Sequence, residues 1–480
     1  MYIQQVLNGI AYTKVGNENP DVTSLACDTA EVAEGSLFFC LKGQKHDGHE
    51  FFRKALGDGA VALVCERQLD TQALQFVVPD VRAAMSIAAK NFFNRPSDRL
   101  KIVLVCGTNG KTSVTYLLDA VFARAGYKTG VIGTNGVYFG GKKYPSELTT
   151  PDPIELHRWL WQMYLSNVEF VFCEASAHAI ALRKLDGIKA DVAVFTNFSQ
   201  DHLDYFKTMD NYKAVKKSLF CPQYVTNAVV NVDDEVGREI AEQSGVNVLT
   251  YSAQSQADVT ATDVVTHADG TDFLLHDGEL CGKVCAKLAG KFNVYNILAA
   301  IAVARLYDID LGCCIAAAES VYRIDGRNET TITADGVRVV VDFAHTPDGI
   351  DNILSFLRQT CEGRLYVVFG AGGNRDKFKR PLMGRAVSKY ADFAYVTNDN
   401  PRFEEPSTIA ADVANGISCE YKIVLNRVEA IKEALCRATD KDTVAILGKG
   451  SEIYQEIRGK RIYYNDGEVV AKLTRAQNGN

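Results

Sequence analysis

At 480 residues, with 47% hydrophobic and 23% charged side chains, the chain is long enough for about three soluble domains with real cores. Its net charge of −7 excludes the strongly basic balance that holds nucleic acid or anionic membranes by bulk charge, and leaves room only for a local basic cleft. The N-terminal MYIQQVLNGIAYTKVG has no charged stretch leading into an apolar core, and no apolar run approaches the ~18 residues that cross a bilayer. Neither a secretory signal nor membrane insertion is therefore expected. Thirteen cysteines, an odd number with no second pair at zinc-finger spacing to match Cys281 and Cys285, read as reduced and mostly buried thiols of a cytoplasmic protein.

In chain order, residues 1–99 alternate short apolar runs (SLFFCLKG, GDGAVALVCE, LQFVVPD) with Gly-rich turns, the pattern of a small α/β domain. It ends at the turn-like Asn94-Arg95-Pro96-Ser97. Residues 100–325 open with Lys101–Cys106, a continuous apolar run suited to a buried parallel strand, and continue through a helical pattern, TSVTYLLDAVFARAG. Further strand candidates lie at 168–174, 191–197 and 227–233, separated mostly by helical patterns, so a mainly parallel sheet with helices on its faces is expected. Residues 326–480 repeat the alternation, with strands expected at 337–343, 364–370, 393–398 and 443–448 and a helix from Pro406 to Gly416. That is a second α/β unit of doubly wound type, and the fold class is three α/β domains.

Between the strand at 101–106 and its helix stands Gly107-Thr108-Asn109-Gly110-Lys111-Thr112. Strand, Gly-containing loop, Lys-Thr and helix together make a P-loop, although Val105 occupies the place of the first glycine of the full eight-residue form. Backbone N–H groups there cradle phosphate oxygens, Lys111 reaches the β/γ-phosphates and Thr112 holds Mg²⁺. A P-loop by itself leaves kinase, motor, transporter ATPase and ligase open.

The motifs that follow narrow the choice. Thr149-Thr150-Pro151-Asp152, Glu174-Ala-Ser176-Ala-His178, Thr196-Asn197-Phe-Ser-Gln-Asp201-His202-Leu-Asp204 and Lys216-Lys-Ser-Leu-Phe220 come in order, then Gly290-Lys-Phe292-Asn293-Val-Tyr-Asn296. Asp325-Gly326-Arg327, Asp342-Phe-Ala-His345-Thr-Pro347, Asn374-Arg375-Asp376, Asp399-Asn400-Pro401-Arg402 and Gly448-Lys-Gly-Ser-Glu452 complete the series. Over essentially its whole length the chain resembles the Mur ligase family, ATP-dependent enzymes that add amino acids to the cell-wall precursor. The resemblance implies a UDP-substrate-binding domain over 1–99, an ATP-binding domain over 100–325 and an amino-acid-binding domain over 326–480. It also implies ATP and Mg²⁺ as cofactors, a cytoplasmic monomer, and no nucleic-acid partner. The Asp-Asn-Pro-Arg form resembles the branch that joins meso-2,6-diaminopimelate, rather than L-lysine, to the D-glutamate γ-carboxylate of UDP-N-acetylmuramoyl-L-alanyl-D-glutamate.

Such a reaction has clear demands. A carboxylate is a poor electrophile until ATP converts it to an acyl phosphate, and the approach of carboxylate to triphosphate needs cationic and N–H stabilisation. By resemblance, Lys111, Glu174, His202 and Lys216 are catalytic. Thr112, Glu174, His202 and a carbamylated Lys216 are the metal ligands. Residue by residue the plainer alternatives stand beside these roles: a solvent-facing strand-end Glu174, a structural His202, and a solvated helix face carrying Lys213, Lys216 and Lys217. The family pattern puts the P-loop from Gly107 to Thr112, with Asn293, Arg327, Asp342 and His345, on the nucleotide. It puts Thr149, Thr150, Ser176 and Lys184 on the muramoyl-dipeptide. Arg375, Asn400, Arg402, Gly448 and Glu452 fall on the incoming amino acid, with the two arginines clamping carboxylates.

The chain departs from the pattern at Asp28-Thr29-Ala30, where the family has Asp-Ser-Arg, and at Cys106, Ala177, Lys184, Phe343 and Asn426. The first departure removes a guanidinium near the expected nucleotide-sugar site. The rival expectations are a related ligase with another amino acid or acyl substrate, a catalytically idle ATP-binding scaffold, and a P-loop transporter or motor subunit. The last would not supply the C-terminal motifs.

Overall fold

The computed structural model describes residues 1–43 and 46–477. Three α/β sheets follow one another along the chain. The first has five strands in the order Thr13–Val15, Gln75–Val77, Ala60–Cys65, Ser36–Phe39, Ser24–Ala26, and only the edge strand Thr13–Val15 is antiparallel. The period of two divides its apolar runs between two cores. Leu37 and Phe39 pack under the helix Val81–Phe92, whereas Phe38 and Cys40 pack under Phe52–Gly57.

The middle sheet has eleven strands. Its parallel centre runs Val259–His267, Asn247–Ser252, Val225–Asn231, Ala190–Phe195, Lys101–Cys106, Phe170–Glu174, Thr129–Gly133. Lys101–Cys106 is buried on both faces. Val103 and Val105 meet the helices Lys111–Arg124 and Lys291–Arg305; Ile102, Leu104 and Cys106 meet Pro153–Leu165. Each such side chain contributes roughly 1.5–3 kcal/mol on burial. The strands that follow in sequence lie on both sides of it, so the crevice at its C-terminal end is the topological switch point where α/β proteins bind ligands.

Antiparallel strands extend this sheet at both ends: Gly270–Asp277 and Leu280–Ala286 on one side, Gly136–Phe139 and Lys142–Tyr144 on the other. The mainly parallel expectation holds for the centre. The four added strands carry no continuous apolar run, because one face of each is wet.

The third sheet runs Glu329–Ile332, Arg338–Asp342, Thr443–Leu447, Leu365–Phe369, Phe393–Val396, Glu420–Ile423, antiparallel only at Glu329–Ile332. Helices Pro347–Thr360, Lys379–Ser388 and Pro406–Ala414 cover one face, and Arg427–Arg437 with Asp466–Gln477 the other. A hairpin of Tyr454–Ile457 and Lys460–Tyr463 follows the last strand.

No helix among the described residues is long and apolar enough to cross a membrane. All thirteen cysteines are free, but only five are buried (Cys40, Cys65, Cys106, Cys173, Cys314), so the expectation of mostly buried thiols is corrected. Cys281 and Cys285 are exposed because they share a face of the edge strand Leu280–Ala286, and among the described residues no group of three His, Cys, Asp or Glu side chains forms a metal cluster.

Candidate active site

The loop after Lys101–Cys106 is shaped by two glycines. A Cβ on Gly107 would lie 1.8 Å from Thr196 Oγ1, and Gly110 sits at φ +86° as the cap of the helix Lys111–Arg124. The neighbouring strand end holds the loop: Thr108 N donates to Asn197 O and Asn109 N to Asn197 Oδ1, both at 2.9 Å. Lys111 Nζ folds back onto the carbonyls of Gly107 and Thr108, at 2.9 Å each. Partial burial and the nearby Lys216 push its ammonium below the ordinary value.

Thr112 joins three elements. Its hydroxyl donates to Glu174 Oε1 at 2.9 Å and accepts from Arg327 Nη2 at 2.8 Å. Glu174 is not the solvent-facing strand-end carboxylate of the plainer alternative; it is 1% exposed. Its other donors are neutral, Thr134 N to Oε1 at 2.9 Å and Thr134 Oγ1 to Oε2 at 3.1 Å. Among the described residues no Lys, Arg or His forms an ion pair with it.

Of the residues expected on the dipeptide, Thr149 Oγ1 lies 3.1 Å from Thr134 Oγ1. Thr150 is buried with its hydroxyl on Glu174 O at 2.7 Å, which makes it a support for the Glu174 backbone rather than an open donor. Ser176 caps Ala177–Ala181 by accepting from Ala179 N, and Lys184 reaches Asp152 at 2.9 Å.

Asp201 and His202 occupy the next turn. Lys379 Nζ reaches across from the third sheet's helix to Asp201 Oδ1 at 3.0 Å, with His202 Nε2 at 3.3 Å and His345 Nε2 at 3.7 Å from Oδ2. Although burial opposes it, Lys379 and His202 hold the Asp201 carboxyl well below the usual carboxylate range. Burial pushes His202 down to about 3, against the pull of Asp201, so its imidazole is neutral and keeps a lone pair. His178 packs edge-on against it at 4.7 Å.

Lys216 corrects the solvated-face alternative: it is 1% exposed, 4.7 Å over the Tyr212 ring, and burial pushes its ammonium down. Lys213 and Lys217 do lie outward, both on Glu239. No hydrogen bond among the described residues joins His202 or Lys216 to Glu174.

From the third sheet, Asp342 accepts from Asn328 N and Ala344 N at 2.7 Å each; burial pushes its carboxyl up against the pull of Arg327. Arg327 stacks 4.4 Å over Phe343, which is how the Phe at this departure is used. His345 Nδ1 rests on Phe343 O at 2.9 Å. Asn293 does not face the cleft: its amide holds Ala289 O and its Oδ1 accepts from Asn296 Nδ2, and Asn296 is the residue on the wall.

At the far end, Asn400 Nδ2 and the buried Lys449 Nζ both donate to Glu452 Oε2, at 2.9 and 2.7 Å. Arg402, at φ +52°, donates from Nε to Glu456 Oε2 at 3.1 Å and from Nη1 to Gly373 O at 2.8 Å. Arg375 is exposed and has no hydrogen bond or carboxylate partner among the described residues.

One cleft of about 920 Å³ gathers all the expected site residues except Gly107, Lys216 and Asn293, which stand behind its wall. Among the described residues, none of 1–99 lines it. Sequence reasoning left Thr134, Asp348, Lys379 and Lys449 without roles. Asp348 Oδ2 takes the Asn109 side chain at 2.8 Å, tying the phosphate loop to the third sheet. Thr134 carries no motif signal; Lys449 lay within a quoted motif without a role.

Thr112 and Glu174 suit a small hard cation. They offer a hydroxyl and a buried carboxylate that makes no ion pair among the described residues, although Lys111 and Arg327 are near it, and leave the remaining positions to phosphate and water, as Mg²⁺ prefers. Phosphate-binding loop, cation-ready carboxylate and an arginine-bearing far end equip the cleft to join a phosphorylated acid to a second substrate.

Three family models match the chain: Mur ligase family, catalytic domain over residues 21–93; Mur ligase middle domain over 105–304; and Mur ligase, glutamate ligase domain over 326–450. The UDP-N-acetylmuramoyl-L-alanyl-D-glutamate--2,6-diaminopimelate ligase of Bacillus cereus is 38% identical over 466 residues, 95% of each chain. The protein of the same name from Geobacillus thermodenitrificans is 41% identical over 465 residues, 94% of each. A solved structure of a ligase of that name superposes with a TM-score of 0.71 at 31% identity, covering 100% of both chains. MurF from Acinetobacter baumannii shares the fold, with a TM-score of 0.69 at 18% identity over 98% of both.

Proposed function

The chain belongs to the Mur ligase family, and from that premise we propose that it is the ATP-dependent ligase joining meso-2,6-diaminopimelate to the D-glutamyl γ-carboxylate of UDP-N-acetylmuramoyl-L-alanyl-D-glutamate in the cytoplasm. The observation that carries this reading is the single cleft shared by the phosphate loop, Glu174, and the Asn400–Arg402 loop with Glu452. An ATPase without an amine acceptor has no use for the last group.

The loop Gly107–Thr112, with Asn296 packed against Gly110, would hold the ATP phosphates, and Arg327 would stand beside the transferring group. Lys111 leaves the Gly107 and Thr108 carbonyls for the phosphates, and Arg327 turns its fork from Thr112 to the transferring group. Thr112 and Glu174 would hold Mg²⁺, which when bound would supply charge neutralisation between carboxylate and triphosphate. The γ-carboxylate oxygen attacks the γ-phosphorus, ADP leaves, and the acyl phosphate is then attacked by the amine, releasing phosphate. Neutral His202 lies on the wall on that side, and Lys216, which would be carbamylated, stands behind it. Arg375 and Arg402 take the carboxylates of diaminopimelate, and Glu452, whose Oε1 has no partner among the described residues, takes its ammonium.

The test is ADP release with Mg²⁺-ATP and UDP-N-acetylmuramoyl-L-alanyl-D-glutamate, with meso-diaminopimelate, L-lysine or other amino acids in turn. Turnover with meso-diaminopimelate should far exceed the rest, and Lys111→Ala should abolish it. Turnover with another amine instead would reassign the specificity; none with any amine, from folded protein that binds ATP, would leave an idle nucleotide-binding protein.

A further inference from the structure

The loop that bears Asn400 and Arg402 is held from two sides. Gly373 N donates to Asn400 O at 2.9 Å and Lys449 Nζ to Asn400 Oδ1 at 3.0 Å, both from segments that follow strands of its own sheet, and the hairpin strand Tyr454–Ile457 grips it from the other side, chiefly through one residue. Glu456 N donates to Asn400 Oδ1 at 2.9 Å, Glu456 O accepts from Arg402 N at 3.0 Å, and Glu456 Oε2 accepts from Arg402 Nε at 3.1 Å. On either side, Gln455 Nε2 donates to Asp399 O at 2.7 Å and Arg458 N to Arg402 O at 2.6 Å. Arg402 sits at φ +52°, a backbone region that a side-chain-bearing residue keeps only where its surroundings hold it there.

Glu456 also sets what Arg402 can offer. With Nε on Glu456 and Nη1 on Gly373 O, each two-nitrogen edge of the guanidinium already has one donor engaged, and Nη2 is the nitrogen without a hydrogen bond among the described residues, on a side chain that lines the cleft. A long flexible side chain is thereby fixed in one orientation before any ligand arrives.

We propose that Glu456 is a positioning residue for amino-acid selection. Its carboxylate presets Arg402 and leaves Nη2 as the guanidinium nitrogen open to a substrate carboxylate, while its backbone N–H joins Lys449 in holding Asn400. This rests on the reading of the Asn400–Arg402 loop as the diaminopimelate subsite.

The test uses the full-length protein and ADP-release kinetics for Glu456→Ala, Glu456→Gln, Arg402→Ala and the double variant Glu456→Ala/Arg402→Ala. Glu456→Ala should raise KM for meso-diaminopimelate about tenfold, the effect of losing one charge-assisted hydrogen bond. Glu456→Gln keeps an acceptor and both backbone bonds without the charge, and should raise it by about threefold. In both, kcat and the KM for ATP should stay near wild type. The double variant should be no worse than Arg402→Ala, because Glu456 acts through Arg402.

A wild-type diaminopimelate KM in Glu456→Ala, beside a raised one in Arg402→Ala, would overturn this inference and leave the subsite reading standing. So would an additive double variant, or a matching loss in the ATP parameters. A wild-type KM in Arg402→Ala would remove the subsite reading itself, and the inference with it. Should Glu456→Ala not fold, Glu456→Gln decides, and an unchanged KM there overturns the proposal.

Discussion

The amine of Lys216 lies 4.7 Å over the Tyr212 ring, and among the described residues no carboxylate pairs with it. Burial disfavours its charged form. Only an uncharged amine adds CO₂, so this setting favours the carbamate at physiological pH. With ¹³C-labelled bicarbonate, the protein should show a carbamate resonance that Lys216→Ala lacks, and labelling should be stronger at pH 8 than at pH 6; no Lys216-dependent signal would remove the carbamate from the mechanism. The residue also marks where sequence reading stops. Lys216 and Lys217 are adjacent, about 100° apart round the helix, and nothing in a run of lysines tells which one turns inward. The burial comes from Tyr212, one helical turn earlier, and from a loop far away in sequence. Thr134, which fixes Glu174, was equally silent, because a threonine acting as donor has no spacing signature.

Among the elements, strands buried on both faces announced themselves as continuous apolar runs, and those at 101–106, 191–197 and 443–448 fall within two residues of their expected places. The strand Val259–His267, reading VTATDVVTH, and its antiparallel partners did not, because solvent on one face lets Thr, Asp and Lys into the pattern. The final helix Asp466–Gln477 is docked by a contact that sequence separation hides. Arg427 donates from Nε and Nη2 to both oxygens of Asp466, at 2.8 and 2.7 Å, in a pair 1% and 0% exposed. Removing one partner leaves the other as an uncompensated buried charge. Asp466→Ala should therefore lower stability to chemical denaturation by ~3–5 kcal/mol, and a loss below ~1 kcal/mol would mean that the apolar face anchored by Val470 alone docks the helix.

At the scale of the molecule, the division into three α/β units was legible because strand and helix patterns alternate within each unit. The meeting of those units was not, since it depends on pairs such as Lys379 with Asp201 and Asn109 with Asp348, far apart in sequence. Where the first unit meets the second, His157 is fully buried between Val81–Phe92 and Gly187, with neither ring nitrogen partnered among the described residues. Burial takes it from its ordinary 6.5 to about 3. The unfolded chain therefore binds a proton that the folded one refuses between those values. The stability from this group is complete above pH 6.5 and drains away as pH falls, in the same sense as that of His202 and His178. Melting temperature should drop from pH 7 to pH 5, and His157→Leu should drop less; an equal drop in both would assign the acid sensitivity to the cleft histidines.

The bond between Asn109 and Asp348 has a thermodynamic corollary. A side chain of the phosphate-binding loop and one in the first turn of the helix Pro347–Thr360, which belongs to the third sheet, share a contact, so any coupling carried between the two units is reciprocal. If nucleotide tightens diaminopimelate binding by some factor, diaminopimelate tightens nucleotide binding by that same factor. Whichever substrate is added first, the coupling free energy between the two ends of the cleft is therefore the same.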